Sequence, residues 1–251
     1  MKKIISLVAA LSMALSLCAC GGGNETQTET GKEKLTMATN ATFPPYEFYE
    51  NEKIVGIDAE IAEKIAEKIG MELEIVDTEF GSIIAGVQSG KYDIGMAGMT
   101  VTDERKESVN FTTSYATGIQ SIIVPEGSDI KTLDDLAGKK IGVQQDTTGH
   151  IYAADEFGDE MVSPYNKGTD AVAALVAGKV DCVIIDNQPA KSFVEVNEGL
   201  VILDTDYAVE DYAIAIAKEN TELLEKVNTA LEELIADGTV QTIIDKYISA
   251  E

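Results

Sequence analysis

Basic residues are scarce in this chain: 19 lysines and arginines stand against 44 aspartates and glutamates, a formal net charge of −25. A polyanion has little with which to neutralise phosphates, and this argues against nucleic acid as a partner. It also lacks the run of cations that holds a protein on anionic lipid. The acidity reads first as solubility. Histidine is limited to His150 and cysteine to Cys18, Cys20 and Cys182. No metal-ligand cluster, phosphate-binding glycine loop or serine-nucleophile elbow appears, so neither a metal nor a cofactor is expected. If Cys18 is removed and Cys20 lipidated, Cys182 alone remains in the folded part and has no partner for an internal disulfide. It lies in the apolar run "KVDCVIID" and reads as a small core residue. A buried cysteine and a loop histidine account for Cys182 and His150 more simply than a catalytic pair does.

What is present begins with a leader. Lys2 and Lys3 precede the apolar stretch "IISLVAALSMALSL", which is short for a membrane span and is bounded as a secretory signal is. Leu17-Cys18-Ala19-Cys20 is similar to the bacterial lipobox, in which the final cysteine is lipidated and becomes the mature N-terminus. Residues 1–19 are therefore expected to be removed and Cys20 to carry acyl chains. Residues 20–33, rich in Gly, Thr and Glu, read as a flexible tether with too few apolar side chains to bury. The remaining length suits one large domain or two smaller lobes.

Beyond the tether, strand and helix patterns alternate. "EKLTMATN" reads as a strand, and Ile57, Ile61, Ile65 and Ile69 recur at helical spacing up to Gly70. "MELEIVD" and "YDIGMAG" read as strands flanking the short helix "SIIAGVQSG", and "GIQSIIVP" as an extended segment. A second series runs from a helix at "KTLDDLAG" through strands "KKIGVQQ", "MVSPY" and "DCVIID". Between and after them lie helices "HIYAADEF", "DAVAALVAGK" and "NQPAKSFVEV". "YAIAIAK" reads as a strand, before two closing helices over 221–238 and 239–248. Such alternation predicts an α/β protein with parallel sheets. Two series joined by extended segments predict two lobes crossed twice by the chain.

Four motifs then stand in order: "ATNATFPPYEF", "AGMTVTDERK", "IGVQQDTTG" and "VDCVIIDNQPA". Together they resemble the periplasmic-type solute-binding proteins of polar amino-acid ABC transporters, over residues 34–250. The resemblance implies a two-lobed type II fold, each lobe a mainly parallel sheet flanked by helices, with the ligand between lobes. One lobe would comprise 33–117 plus 213–251 and the other 120–208, with hinges near 116–120 and 208–213. It implies capture of a polar L-amino acid of the glutamine, arginine, histidine or lysine class. The partners would be a membrane permease and, through it, ATPase subunits. The protein would be a monomer without enzymatic activity, on the outer face of the cell membrane. The same fold also serves cyclohexadienyl-type dehydratases and ligand-gated receptor domains. A dehydratase would need a cleft acid of raised pKa, for which Asp146 is the one candidate.

The resemblance also assigns roles. A zwitterion leaving water needs an opposite charge at each end. Arg105 would take the α-carboxylate, because its planar fork donates two parallel hydrogen bonds and stays charged. Gly98, through its backbone, and Thr100, through backbone and hydroxyl, would surround the main-chain groups. Asp186 would receive the α-ammonium, or cap the following helix. Thr147 and Thr148 would donate to the carboxylate near a helix start, and Gln144 would reach the side chain. Phe43 and Phe80 would clamp a planar head group, and Tyr46 and Met99 complete the implied contacts. Asp146 stands where the family usually has Gly, and Asn40 where many relatives have Asp. The neutral Asn40 favours glutamine, while Glu47, Glu79 or Asp146 could restore an anion for arginine or histidine.

Overall fold

Short strands with apolar alternation and helices with one apolar stripe build two sheet-centred lobes. The computed structural model describes residues 32–205 and 207–248. The expected signal segment, Cys20 and nearly all of the tether lie outside those residues.

The chain enters on β1 (Lys34–Thr39), then forms β2 (Thr42–Phe43), β3 (Glu47–Glu50), β4 (Lys53–Val55) and α1 (Ile57–Ile69). β5 (Glu72–Asp77), α2 (Ile83–Gln88), β6 (Ile94–Gly95), α3 (Asp103–Ser108) and β7 (Val109–Phe111) follow. β8 (Ala116–Pro125) leads into β9 (Ile141–Gln144), α4 (Thr148–Phe157), β10 (Val162–Tyr165) and α5 (Gly168–Val176). β11 (Cys182–Asp186), α6 (Asn187–Val196) and β12 (Leu200–Ile202) complete that series. β13 (Ala208–Tyr212), β14 (Ala215–Ala217), α7 (Thr221–Ala236) and α8 (Thr239–Tyr247) close the chain.

The first lobe's sheet has the order β5-β1-β6-β14-β7, and β2, β3 and β4 form a small antiparallel sheet beside it. The second lobe's sheet has the order β10-β9-β11-β8-β12, with β13 also on β8. Both sheets are mixed, a correction to the mainly parallel sheets expected. Strands linked through helices, β1 with β5 and β9 with β10 and β11, are parallel. β14 and β8, by contrast, pair antiparallel with β6 and β11. They arrive from the other sheet without a helical crossover, which alone makes sequential strands parallel. β8 and β13 pair from Ala116↔Tyr212 to Gln120↔Ala208, so the two passages between the sheets form one antiparallel ribbon.

The stripe of α1 packs as its spacing requires: Ile57, Ile61 and Ile65 are fully buried against Leu35 and Met37 of β1. Each such isoleucine stabilises the lobe by roughly 1.5–3 kcal/mol. Gly70, left-handed, ends the helix and donates to the carbonyls of Ala66 and Glu67. Ile122, Val143 and Ile184 form the matching core of the second lobe. The expected helix over 131–138 is only a 3-10 turn at Leu133–Leu136. Thr132 and Asp135 form a capping box there, but Gly138 turns left-handed within one turn. The strand expected at 92–98 pairs only over Ile94–Gly95, since the chain then bends away to form the cleft wall.

Candidate functional site

That bend is where the site begins. Gly98 has φ +51°, and a Cβ there would lie 2.9 Å from the Phe43 ring, so glycine is required on both counts. Its N–H donates to Asp58 Oδ2 at 2.8 Å. Thr102 caps α3 by accepting from the Arg105 N–H at 3.1 Å. This fixes Arg105 one turn from Thr100. The guanidinium donates from Nη1 to the Thr100 carbonyl at 2.8 Å and from Nη2 across the cleft to the Asp146 carbonyl at 3.1 Å. Its carbon sits 5.2 Å from the Phe80 ring centroid, a cation–π distance. Burial lowers its pKa, opposed by Glu210 and other anions nearby, but an arginine remains charged.

From the second lobe, Thr147 caps α4 by accepting from the His150 N–H, and its own hydroxyl donates to the Gln144 carbonyl. Gln144 donates to Asn40 Oδ1 at 3.1 Å, another contact across the cleft. Asp146 has φ +63°, the left-handed conformation glycine adopts freely and aspartate more readily than most residues. Its exposed carboxylate lies beside Gly81 of the first lobe, and Asp146 is not among the residues that line the cavity. Asp186 precedes α6 but does not cap it. Its carboxylate turns inward and accepts from Gln120 Nε2 at 2.9 Å and from the Tyr212 hydroxyl. Burial pushes its pKa up to about 7; the hydrogen bonds from Tyr212 and Gln120 oppose the shift, and the Glu210 charge adds to it.

These groups enclose a cavity of about 20 Å³, room for roughly one water. Phe43, Phe80, Gly98, Thr100, Arg105, Gln144, Thr147, Thr148 and Asp186 line it. Asn40, Tyr46 and Met99 stand behind its wall. Asn40 donates to the Thr78 carbonyl, and its Oδ1 accepts from both Thr42 and Gln144. Tyr46 stacks on Phe43 at 5.9 Å, and Met99 is wholly buried in the core beneath Phe80. Glu79 is exposed.

Two acids, Asp58 and Glu210, escaped the reading of the sequence, and Glu47 stood there only as one of three acids that could restore an anion. Glu47 lines the cavity and is buried, close to the equally buried Asp58. Burial, then the charge of Asp58, hold Glu47 well above the usual carboxylate range. Asp58 is raised to about 6 by burial, against the pull of the Gly98 N–H and the Tyr115 hydroxyl. Glu210, on the ribbon, accepts from Thr100 Oγ1 at 3.2 Å, Thr148 Oγ1 at 3.0 Å and Gln120 Nε2 at 3.0 Å. It thereby touches side chains of both lobes. Its stretch was expected only as a hinge near 208–213, and the pairing of β13 with β8 shows that its side chain is buried.

Two lobes enclosing one guanidinium, several carboxylates and a pair of aromatic rings define a cleft-type binder of small polar molecules. The sequence pattern of the bacterial extracellular solute-binding proteins, family 3, matches residues 35–250, and the chain belongs to that family. It is 35% identical to the arginine-binding extracellular protein ArtP of Bacillus subtilis, over 100% of both chains. An ancestral arginine-binding protein has been solved bound to arginine and bound to glutamine. The arginine complex shares 42% identity and a TM-score of 0.81, over 87% of this chain and 99% of that one. The glutamine complex shares 40% identity and a TM-score of 0.81, over 87% and 99%. The protein is thus an extracytoplasmic solute-binding protein of amino-acid ABC transport.

Proposed function

We propose that the cleft captures a cationic L-amino acid, arginine before glutamine, without altering it chemically. The observation that carries this reading is the composition of the cleft wall: one cation, Arg105, set against the buried acids Asp186 and Glu47 around two phenylalanine rings. Arg105 takes the α-carboxylate and Asp186 the α-ammonium, with Thr100, Thr147 and Thr148 as further donors. The Gly98 N–H is committed to Asp58, so Gly98 offers its carbonyl. Phe43 and Phe80 flank a planar head group. Asn40 stands behind the cavity wall with its carbonyl oxygen engaged twice, which removes the reason to rank glutamine first, and Glu47 supplies an acid at the aromatic end. Several of the relatives are named for arginine.

In the same reading, Cys20 carries two acyl chains that hold the protein outside the cytoplasmic membrane. The lobes bounded near 117, 120, 208 and 213 close on the ligand and deliver it, as a monomer, to a permease with ATPase subunits. A thermal-shift screen of the 20 amino acids tests the assignment. A ligand at a hundred times its Kd adds about 2.7 kcal/mol, a rise of roughly 5–10 °C for a protein of this size. Arginine is expected to give the largest shift. A flat screen removes the binding assignment, and a larger shift with glutamine reverses the ranking.

A further inference from the structure

The contact between Glu47 and Asp58 is not needed to hold either end of an amino-acid backbone. It is built by the chain's own geometry. Gly56, at φ +125°, lies so close to the Tyr46 carbonyl that a Cβ would come within 2.2 Å of it. The N–H groups of Ile57 and Asp58 donate to the carbonyls of Pro45 and Tyr46 at 3.1 and 2.9 Å. The start of α1 is thus pinned against the start of β3, which brings Asp58 under Glu47.

Glu47 is 1% exposed and Asp58 0%. Glu47 Oε2 and Asp58 Oδ1 are both buried with no hydrogen-bond partner. Two neighbouring carboxyl groups held out of water, each with an oxygen that no donor meets, cannot both ionise cheaply, so one of them keeps a proton. Asp58 Oδ2 accepts from the Gly98 N–H and from the Tyr115 hydroxyl at 2.9 Å. Those donors favour charge on Asp58 and leave the proton on Glu47. The other groups facing Glu47 are Asp77 at the end of β5 and Asp186 at the end of β11. Tyr46 adjoins it in sequence and also feels its charge. None of these is a cation, and Arg105 is engaged by the Thr100 and Asp146 carbonyls.

We propose that Glu47 and Asp58 form a one-proton acid pair that reads the charge of the ligand's side chain. When a guanidinium or ammonium enters the aromatic end of the cleft, the Glu47 O–H bond breaks, its proton passes to solvent, and the carboxylate pairs with the cation. A neutral side chain leaves the proton in place. The pair therefore selects cationic ligands more strongly as pH rises, because a raised pKa means the proton is held at low pH and is cheap to release only as pH approaches it. This inference rests on the cleft being an amino-acid site.

L-citrulline, the uncharged isostere of arginine, isolates the effect. Any proton that Asp186 releases to solvent on pairing with the α-ammonium is common to both ligands. Calorimetry of the full chain near pH 7, in phosphate and in Tris, counts the protons released. Arginine is expected to release about one more proton than citrulline, and the ratio of their affinities to rise by up to about tenfold per pH unit below the pair's midpoint. In Glu47→Gln the amide keeps the size of the side chain but has no proton to lose. There the difference between ligands should vanish and arginine should bind more weakly. Equal proton counts in the wild type, or a difference that survives in Glu47→Gln, overturn the proposal while arginine still binds. Failure of arginine to bind at all overturns the amino-acid reading beneath it.

Discussion

Arg105 carries its charge to a half-buried position where the protein offers it only two carbonyl oxygens, from Thr100 and Asp146. A ligand carboxylate would replace weak neutral acceptors by a charged, bidentate one. Arg105→Ala should therefore cost roughly 3–5 kcal/mol of binding, enough to move a micromolar complex of about −8 kcal/mol to millimolar or weaker. Arg105→Lys should recover only part of this, since a point charge lacks the fork. Calorimetry with arginine measures both, and unchanged affinity in Arg105→Ala removes it from the site. Asp186 makes a different prediction through pH. With its pKa at about 7, it holds a proton below that value and loses it above. An ammonium prefers the ionised form, so affinity for a neutral amino acid should fall as pH drops from 8 to 5. Asp186→Asn should flatten that profile; a profile still sloping in the variant would assign the titration elsewhere. Both residues were legible, as charges standing where strands give way to loops in ordered motifs. Asp58 and Glu210 were not, and Glu47 only as one of several possible anions, because acids are abundant along this chain and burial is invisible in letters. Asp58 in particular opens a helix, where an acid is already expected from the helix dipole.

Among the elements, the ribbon of β8 and β13 joins the lobes and also places side chains in the site. Gln120 of β8 and Glu210 of β13 are buried and meet each other and Asp186. Glu210 further ties Thr100 of one lobe to Thr148 of the other. Glu210→Ala deprives two hydroxyls and an amide of their acceptor, with a loss of about 1–3 kcal/mol for each buried group left unpaired. The unliganded variant is expected to populate a more open form, seen as a larger radius of gyration in solution scattering than the wild type. An identical radius would mean that the bridge contributes nothing to holding the lobes together. The ribbon's strands were read as separate extended segments, since pairing between positions so distant in sequence leaves no local trace. Long amphipathic elements such as α1 were legible from their period alone. The six-residue α3 and the two- to four-residue strands β2, β3 and β4 were not. They are shorter than a period can be established over, and backbone bonds to distant segments hold them.

At the scale of the whole molecule, the cleft is smaller than what it is proposed to bind. A volume of about 20 Å³ compares with roughly 300 Å³ or more for ordinary ligand sites, so the lobes must part before an amino acid enters. Few polar contacts oppose that parting: Arg105 to Asp146, Gln144 to Asn40, and the hydroxyls on Glu210. Each such bond is worth about 0.5–1.5 kcal/mol net, and water replaces most of it when the cleft opens. Open and closed forms should therefore differ by only a few kcal/mol, a gap that a ligand bridging both lobes can overcome. A ligand held by Arg105 and Phe80 from one lobe and by Asp186 and Thr148 from the other binds the closed arrangement alone. Saturating arginine is then expected to shrink the radius of gyration measured by scattering, and Arg105→Ala to abolish that shrinkage at the same arginine concentration. If the radius is unchanged by arginine that calorimetry shows to be bound, closure on the ligand is not how this protein works, and the ribbon is a fixed spacer instead of a hinge.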